Sequence, residues 1–145
     1  MDISIITRDS GAHPVFDRET ICSFLHKHLE EYGDPVDQIK MCYDFALKSG
    51  IGGFVTLAHD EHNKLAGVVI MNETGMGGYI PENILVYIAV DKAFRGQGVG
   101  KKLMKAACDH AKGAVALHVE PDNPARHLYE KLGFTSKYLE MRLQK

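Results

Sequence analysis

The stretch Ile84-Leu85-Val86-Tyr87-Ile88-Ala89-Val90-Asp91-Lys92-Ala93-Phe94-Arg95-Gly96-Gln97-Gly98-Val99-Gly100-Lys101-Lys102 decides the fold. Its opening run, Ile84 to Val90, is continuously apolar, as a strand covered on both faces must be, and is predicted to be the central strand. The chain then turns through Gly96, Gly98 and Gly100 into a helix predicted from about Gly98 to Lys112. A second apolar run, Ala114 to Val119, follows. Strand, helix and strand in this order make one crossover unit with parallel strands. In an open α/β sheet the chemistry belongs at the carboxyl ends of such strands.

Upstream, Asp2 to Thr7 alternates side chains as a strand does. From Asp17, a predicted N-cap, Ile21, Phe24, Leu25, His28, Leu29 and Tyr32 recur at spacings of three and four, the stripe of an amphipathic helix. Gly33-Asp34-Pro35 ends it, and Val36 to Lys48 is predicted as a second helix closing at Gly50. Gly53 to His59 and Leu65 to Asn72 are β-rich runs joined by the polar turn Asp60-Glu61-His62-Asn63-Lys64, predicted to be antiparallel neighbours. Downstream, Asn123-Pro124 is predicted to cap a short helix that Gly133 terminates. Tyr138 to Leu143 is predicted as a last strand.

Composition bounds the function. A chain of 145 residues, 45% apolar and 25% charged, is the size and make-up of one soluble domain. Basic residues number 17 and acidic residues 19, for a net charge of −2, so the electrostatic footprint of a nucleic-acid binder is missing. Cys22, Cys42 and Cys108 fit neither a disulfide framework nor zinc pairs and read as reduced thiols. His26, His28, His110 and His127 lie on predicted helices and His59 and His62 flank a turn, without carboxylates at ligand spacing, so no metal is expected. Neither a hydrophobic leader nor a long apolar run is found, so no membrane partner and a cytoplasmic location are expected.

Glycines between a buried strand and a helix let backbone N–H groups converge on an anion, and the helix N-terminus adds roughly half a positive charge. A dinucleotide-binding G-x-G-x-x-G starting at Gly96 needs glycine where Lys101 stands. A P-loop ending at Gly100-Lys101 needs glycine where Arg95 stands. What fits is R-x-x-G-x-G, as Arg95, Gly98 and Gly100. A tight turn alone would also use these glycines, but a second motif, Asn123-Pro124-Ala125-Arg126-His127-Leu128-Tyr129-Glu130-Lys131-Leu132-Gly133-Phe134, accompanies them.

Together these runs resemble the GNAT superfamily of acetyl-CoA-dependent N-acetyltransferases: the first its pyrophosphate loop, the second its N-x-x-A-x-x-x-Y-x-x-x-G-F block. The resemblance covers about Ile84 to Phe134 closely, and the preceding element order is also the family's. It implies a single domain over residues 1–145, an α/β mixed central sheet with a splayed parallel strand pair, flanked by about four helices. Acetyl-CoA is the implied co-substrate. Its pyrophosphate would lie on Arg95, Gly96, Gln97, Gly98, Val99, Gly100 and Lys101. Its pantetheine arm would lie along Ile88, Ala89 and Val90, with Asn123 and Tyr129 as further contacts. An N–H near Ile88 would face the thioester oxygen, a donor worth about 3 kcal/mol to an oxyanion.

Tyr129 is the implied general acid for the departing thiolate, a role its motif position favours; on pattern alone it reads as a core tyrosine of an amphipathic helix. Many relatives carry a glutamate where Ile84 stands, so the base is open among Glu82, Tyr87, His118 and Glu120, with Glu82 and His118 the leading candidates. For these two, a solvated loop carboxylate and a structural strand histidine are the competing readings. Asn123 and Tyr129 are six apart where the family has seven, so either Asp122 takes the asparagine's place or the helix starts differently. The implied reaction is direct attack, in a ternary complex, by a primary amine of a small molecule, amino acid or peptide, met by segments such as Glu31 to Tyr43 and Gly75 to Asn83. The alternative is a sensing or protein-interaction module of the same fold. The short segment after Phe134 leaves a sheet edge open, which invites a homodimer.

Overall fold

Strand β1 (Asp2–Ile6) opens the chain and pairs antiparallel with β2 (Gly53–His59). Between them lie helices α1 (Arg18–Leu29) and α2 (Val36–Leu47). The Asp17 carboxylate accepts the N–H of Thr20 at 2.8 Å, so it caps α1 as its residue type predicts. That helix is shorter than the apolar stripe implies. Glu30 takes a positive φ of 55°, which α-helical hydrogen bonding cannot accommodate, and Glu30–Tyr32 form a separate 3-10 turn.

The polar turn after β2 is built by Asp60, whose carboxylate accepts the N–H groups of His62 and Lys64, and by Asn63 at φ 58°. It leads into β3 (Leu65–Glu73), which pairs antiparallel with both β2 and β4 (Asn83–Val90). Helix α3 (Val99–His110) crosses back, and β5 (Val115–Leu117) lies parallel to β4. Helix α4 (Arg126–Lys131) completes the regular elements. The computed structural model describes all 145 residues, in a five-stranded mixed sheet of order β1-β2-β3-β4-β5.

Two apolar layers hold the sheet. One face carries Ile6, Val55, Leu57, Val68, Ile70 and Tyr87 against Ile21 and Leu25 of α1 and Ile39 and Tyr43 of α2. The other carries Phe54, Ala58, Val69, Met71 and Leu85 against Leu103 and Met104 of α3 and Tyr129 of α4. Because strand side chains alternate, Val68 and Ile70 serve one layer and Val69 and Met71 the other. Strand β3 is thus buried on both faces along most of its length.

Four expectations are corrected here. The middle strand is β3, not β4: β4 is fourth of the five, and Val86 on it is 38% exposed. β5 is confined to Val115–Leu117, because the chain beyond it diverges from β4 and has nothing to bond. Asn123 and Pro124 do not open α4. Asn123 Oδ1 accepts the N–H of Ala125 at 2.9 Å, and the bonds Arg126 N–H to Asn123 O and His127 N–H to Pro124 O close a tighter turn, so the helix begins at Arg126. Finally, Tyr138 to Leu143 forms no strand. Tyr138, Leu139, Met141 and Leu143 are 80–89% exposed, since the outer edge of so short a β5 gives an alternating segment little ladder to join.

Candidate active site

The site begins with a defect in β4. Ile70 lies opposite Tyr87 and Met71 opposite Leu85, so Val86 is an extra residue, a β-bulge. Below it, Asn83–Leu85 pair with Val115–Leu117, and the Asn83 N–H bonds to the Ala114 carbonyl. Above it, β5 supplies no partner and the two strands open as a wedge. The Asp91 N–H bonds to the Ala66 carbonyl. Counting back along an antiparallel ladder, where alternate residues bond the same neighbour, turns Ala89 and Tyr87 toward β3 and leaves the backbone groups of Ile88 and Val90 facing the wedge. The bulge makes this possible, because one extra residue reverses which positions point at which neighbour. Of these groups the Val90 carbonyl is taken, by Arg95 Nε at 3.0 Å.

The wedge points toward the glycine turn. Gly96 and Gly98 have φ of 79° and 78°, conformations that a side chain would strain, and a Cβ on either would enter open space. None of the N–H groups from Gly96 through Lys101 donates to a protein acceptor, and the first bond of the next turn runs from Lys102 N–H to Gly98 O. These are the open donors of a helix start extended backward by a loop. Such a run of unpaired donors at a helix start fits a pyrophosphate, so the residues present match the acetyl-CoA implied by the motif. Val99 is buried and anchors the turn, whereas Gln97 and Lys101 are exposed. Arg95 bends away from the concavity: its guanidinium donates to the carbonyls of Val90 and His28 and lies 3.6 Å from Glu30. Its place in the motif is thus filled by an arginine that ties the end of β4 to the end of α1.

Tyr129, from α4, is 7% exposed and packs within the α3/α4 layer. Its hydroxyl has no hydrogen-bond partner in the chain, yet the sealed polar atoms without partners are Thr56 Oγ1 and His59 Nδ1 only, so the hydroxyl keeps an opening to the outside. Burial pushes its pKa up to about 12, and the proton stays on the oxygen near neutrality. His118 follows β5 directly and is exposed. Val115, Leu117 and Val119 all face the α3/α4 layer, so alternation turns His118 toward the opposite, α1/α2 face. Glu82 sits at the closed end of the wedge, where its carboxylate accepts the Ala114 N–H at 2.8 Å. That bond holds its pKa below the ordinary glutamate value. The Asn123 side chain is occupied in its own turn.

One group of contacts has no counterpart in the sequence reading. The segment Glu30 to Asp34 runs as a strap over the α1/α2 face. Glu30 is 3.2 Å from Lys92, beside the glycine turn. The Tyr32 hydroxyl reaches the Asp122 carbonyl at 3.5 Å, in the β5–α4 connection. The Tyr87 hydroxyl, from β4, donates to Asp34 Oδ2 at 2.5 Å. Burial, then the Asp34 carboxylate, push the Tyr87 pKa far above its ordinary value. Sequence places Glu31 to Tyr43 on the acceptor side but gives no signal for a pair 53 positions apart.

With this geometry in view, comparison with known proteins is informative. Residues 14–134 match the acetyltransferase (GNAT) family. An N-alpha-acetyltransferase 30 from Schizosaccharomyces pombe is 33% identical over 119 residues, covering 79% of this chain and 75% of that protein. Among solved structures, an aminoglycoside N-acetyltransferase in complex with CoA superposes with a TM-score of 0.69 at 19% identity, over 99% of this chain and 93% of the other. A ribosomal-protein-alanine N-acetyltransferase from Brucella melitensis does so with 0.65 at 16% identity, over the whole of both chains. These two likenesses are of fold. The family match spans both the wedge and the glycine turn, and the chain belongs to the GNAT family of acetyltransferases.

Proposed function

We propose that this protein moves the acetyl group of acetyl-CoA to a primary amine by direct attack within a ternary complex, and that the amine is the α-amine of a peptide or protein. Acetyl-CoA when bound supplies the acetyl group as an activated thioester. The observation that carries the reading is the presence of two sets of unpaired donors at the same end of β4, the Ile88 backbone inside the wedge and the N–H groups of Gly96 to Lys101 in the turn that follows. The choice of an α-amine is supported by the name of the Schizosaccharomyces pombe relative, an N-alpha-acetyltransferase. In this reading the Ile88 N–H polarises the thioester carbonyl, and Tyr129 holds the proton that the leaving sulfur requires. His118, on the α1/α2 face, is the better placed of the two candidate bases, because Glu82 is engaged by Ala114 at the closed end.

A thiol-release assay with acetyl-CoA across small amines, amino acids and free-N-terminus peptides tests it. Release dependent on a peptide α-amine is expected. Calorimetric binding of CoA with no release above hydrolysis for any amine would instead establish the alternative, a sensing module of the same fold.

A further inference from the structure

The strap carries a group that the reaction as described leaves unused. Tyr87 is buried against α1 and α2, and a buried hydroxyl needs a partner. It finds one in Asp34, a residue otherwise exposed in the connection between the 3-10 turn and α2. This donation to a carboxylate is charge-assisted and short, so it fixes the orientation of the carboxylate as well as its position. Only Oδ2 is occupied. No lysine or arginine lies within ion-pair distance of Asp34, and it makes no second side-chain bond. Arg142, within electrostatic reach from the C-terminal segment, is already bonded to Glu140.

The setting matters as much as the pair. Tyr87 precedes Ile88, whose backbone faces the wedge, and Tyr32 spans from the strap to the far side of that wedge at Asp122. Asp34 is therefore held at the mouth of the wedge on the face opposite α3 and α4, with one carboxylate oxygen open. The groups around Tyr32 are Asp122, Glu31, Glu120 and Glu30, all anionic. An α-amine has an ordinary pKa of about 7.7–8.0 and a lysine-type amine about 10.4, so an acceptor arrives largely as an ammonium. An ammonium is three donors with a positive charge, the complement of an oriented, half-free carboxylate.

We infer that Asp34, oriented by Tyr87, receives the cationic amine of the acceptor, which makes Asp34 a specificity-determining residue and Tyr87 a positioning residue. The inference rests on the acetyltransferase reading and deepens it. Asp34 holds the ammonium; before attack the proton passes to His118, the base in that reading, directly or through solvent water, and not to this carboxylate.

Steady-state kinetics with a short peptide bearing a free α-amine test the assignment. Asp34→Asn is expected to raise the KM for the peptide about tenfold or more, the loss of one charge-assisted bond. It should leave kcat and the KM for acetyl-CoA near wild type, and Asp34→Glu should recover part of the loss. Tyr87→Phe, which keeps the ring and frees the carboxylate, is expected to raise the same KM less and to lower Tm modestly, as the loss of a paired buried hydroxyl does, while kcat and the KM for acetyl-CoA stay near wild type. An unchanged peptide KM in a folded Asp34→Asn overturns the inference. Should the wild-type protein transfer acetyl to no amine, the acetyltransferase reading fails on its own. Asp34 is then judged by calorimetric titration of the peptide and its desamino analogue into the CoA complex. Preference for the amine that vanishes in Asp34→Asn supports the inference, and equal binding of the two peptides overturns it.

Discussion

The Glu82 carboxylate accepts the N–H of Ala114 at 2.8 Å, and a Cβ placed on Gly113 would stand 2.6 Å from the carboxyl carbon of the same side chain. Glu82 is thus a latch that fastens the loop before β4 to the start of β5, and glycine at 113 is what lets it close. Glu82→Ala is expected to lower Tm while leaving kcat within about twofold. A stable variant with collapsed kcat would instead make Glu82 the base. The pH dependence has a definite sign. The folded pKa lies below the unfolded value of 4.5, so the latch contributes fully above that value and its contribution is lost as pH falls through the folded pKa.

The glycine turn gives a second test. Gly98, at φ 78°, faces open space, so a valine there meets no protein atom but strains the backbone and puts a side chain where the donors converge. A Cβ on Gly100 would lie a tight 3.3 Å from Leu128 and an ordinary 3.7 Å from Val90, so that substitution presses on α4 instead. Both Gly98→Val and Gly100→Val are expected to weaken CoA binding by at least about tenfold in calorimetry. Unchanged affinity in both would remove the phosphate site from this turn.

A histidine far from the wedge sets an acid limit on stability. His13 Nδ1 accepts the N–H groups of Val15 and Phe16 at 3.1 and 3.2 Å, which only a neutral ring can do. The ring lies 5.2 Å from that of Phe16 and 5.8 Å from that of His59, which is itself bonded to Ser4. Burial, then His59, lower the His13 pKa from 6.5. A depressed histidine binds fewer protons folded than unfolded, so stability is complete above the unfolded value and declines as pH falls through the folded one. Denaturant titrations from about pH 8 to about pH 5 should show this loss, and His13→Asn should flatten it. Equal slopes for the two proteins would assign the acid limit elsewhere.

What was legible in the sequence was whatever periodicity or a local motif carries. Gly53 to His59 and Leu65 to Asn72 pair as read because alternation and the Asp60–Lys64 turn act within one hairpin. The parallel pairing of Ile84 with Ala116 likewise follows from the crossover rule. Position in the sheet was not legible: β3 and β4 are both apolar runs, and which one lies centrally depends on what bonds β5. The alternation in Tyr138 to Leu143 is as regular as that in β1, yet no neighbour is in place to pair with it. At Asn123 the short spacing to Tyr129 was a true signal, and the structure accounts for it by a turn that delays α4 to Arg126. The Val86 bulge and the Tyr87–Asp34 bond leave no local mark, since each is made by residues distant in the chain.

Tyr129 allows the sharpest separation of structure from chemistry. A core tyrosine that serves stability has its hydroxyl paired, and removing that hydroxyl costs on the order of 1 kcal/mol. The Tyr129 hydroxyl has no partner in the protein, so Tyr129→Phe forfeits no hydrogen bond and retains the ring against Phe134, with centroids 6.2 Å apart. Tm and CoA affinity are therefore expected to stay near wild type. If the hydroxyl protonates the leaving sulfur, kcat should fall by a factor of roughly 10² to 10⁴, the usual scale of general acid catalysis, without vanishing, because a thiolate leaves tolerably unaided. With its pKa pushed up to about 12 by burial, the acid keeps its proton across the neutral range, so the variant's deficit should be constant there instead of growing toward one end. Thermal melting, calorimetry and kcat on this one variant decide the matter, and a normal kcat at saturating acceptor would retire Tyr129 as the acid.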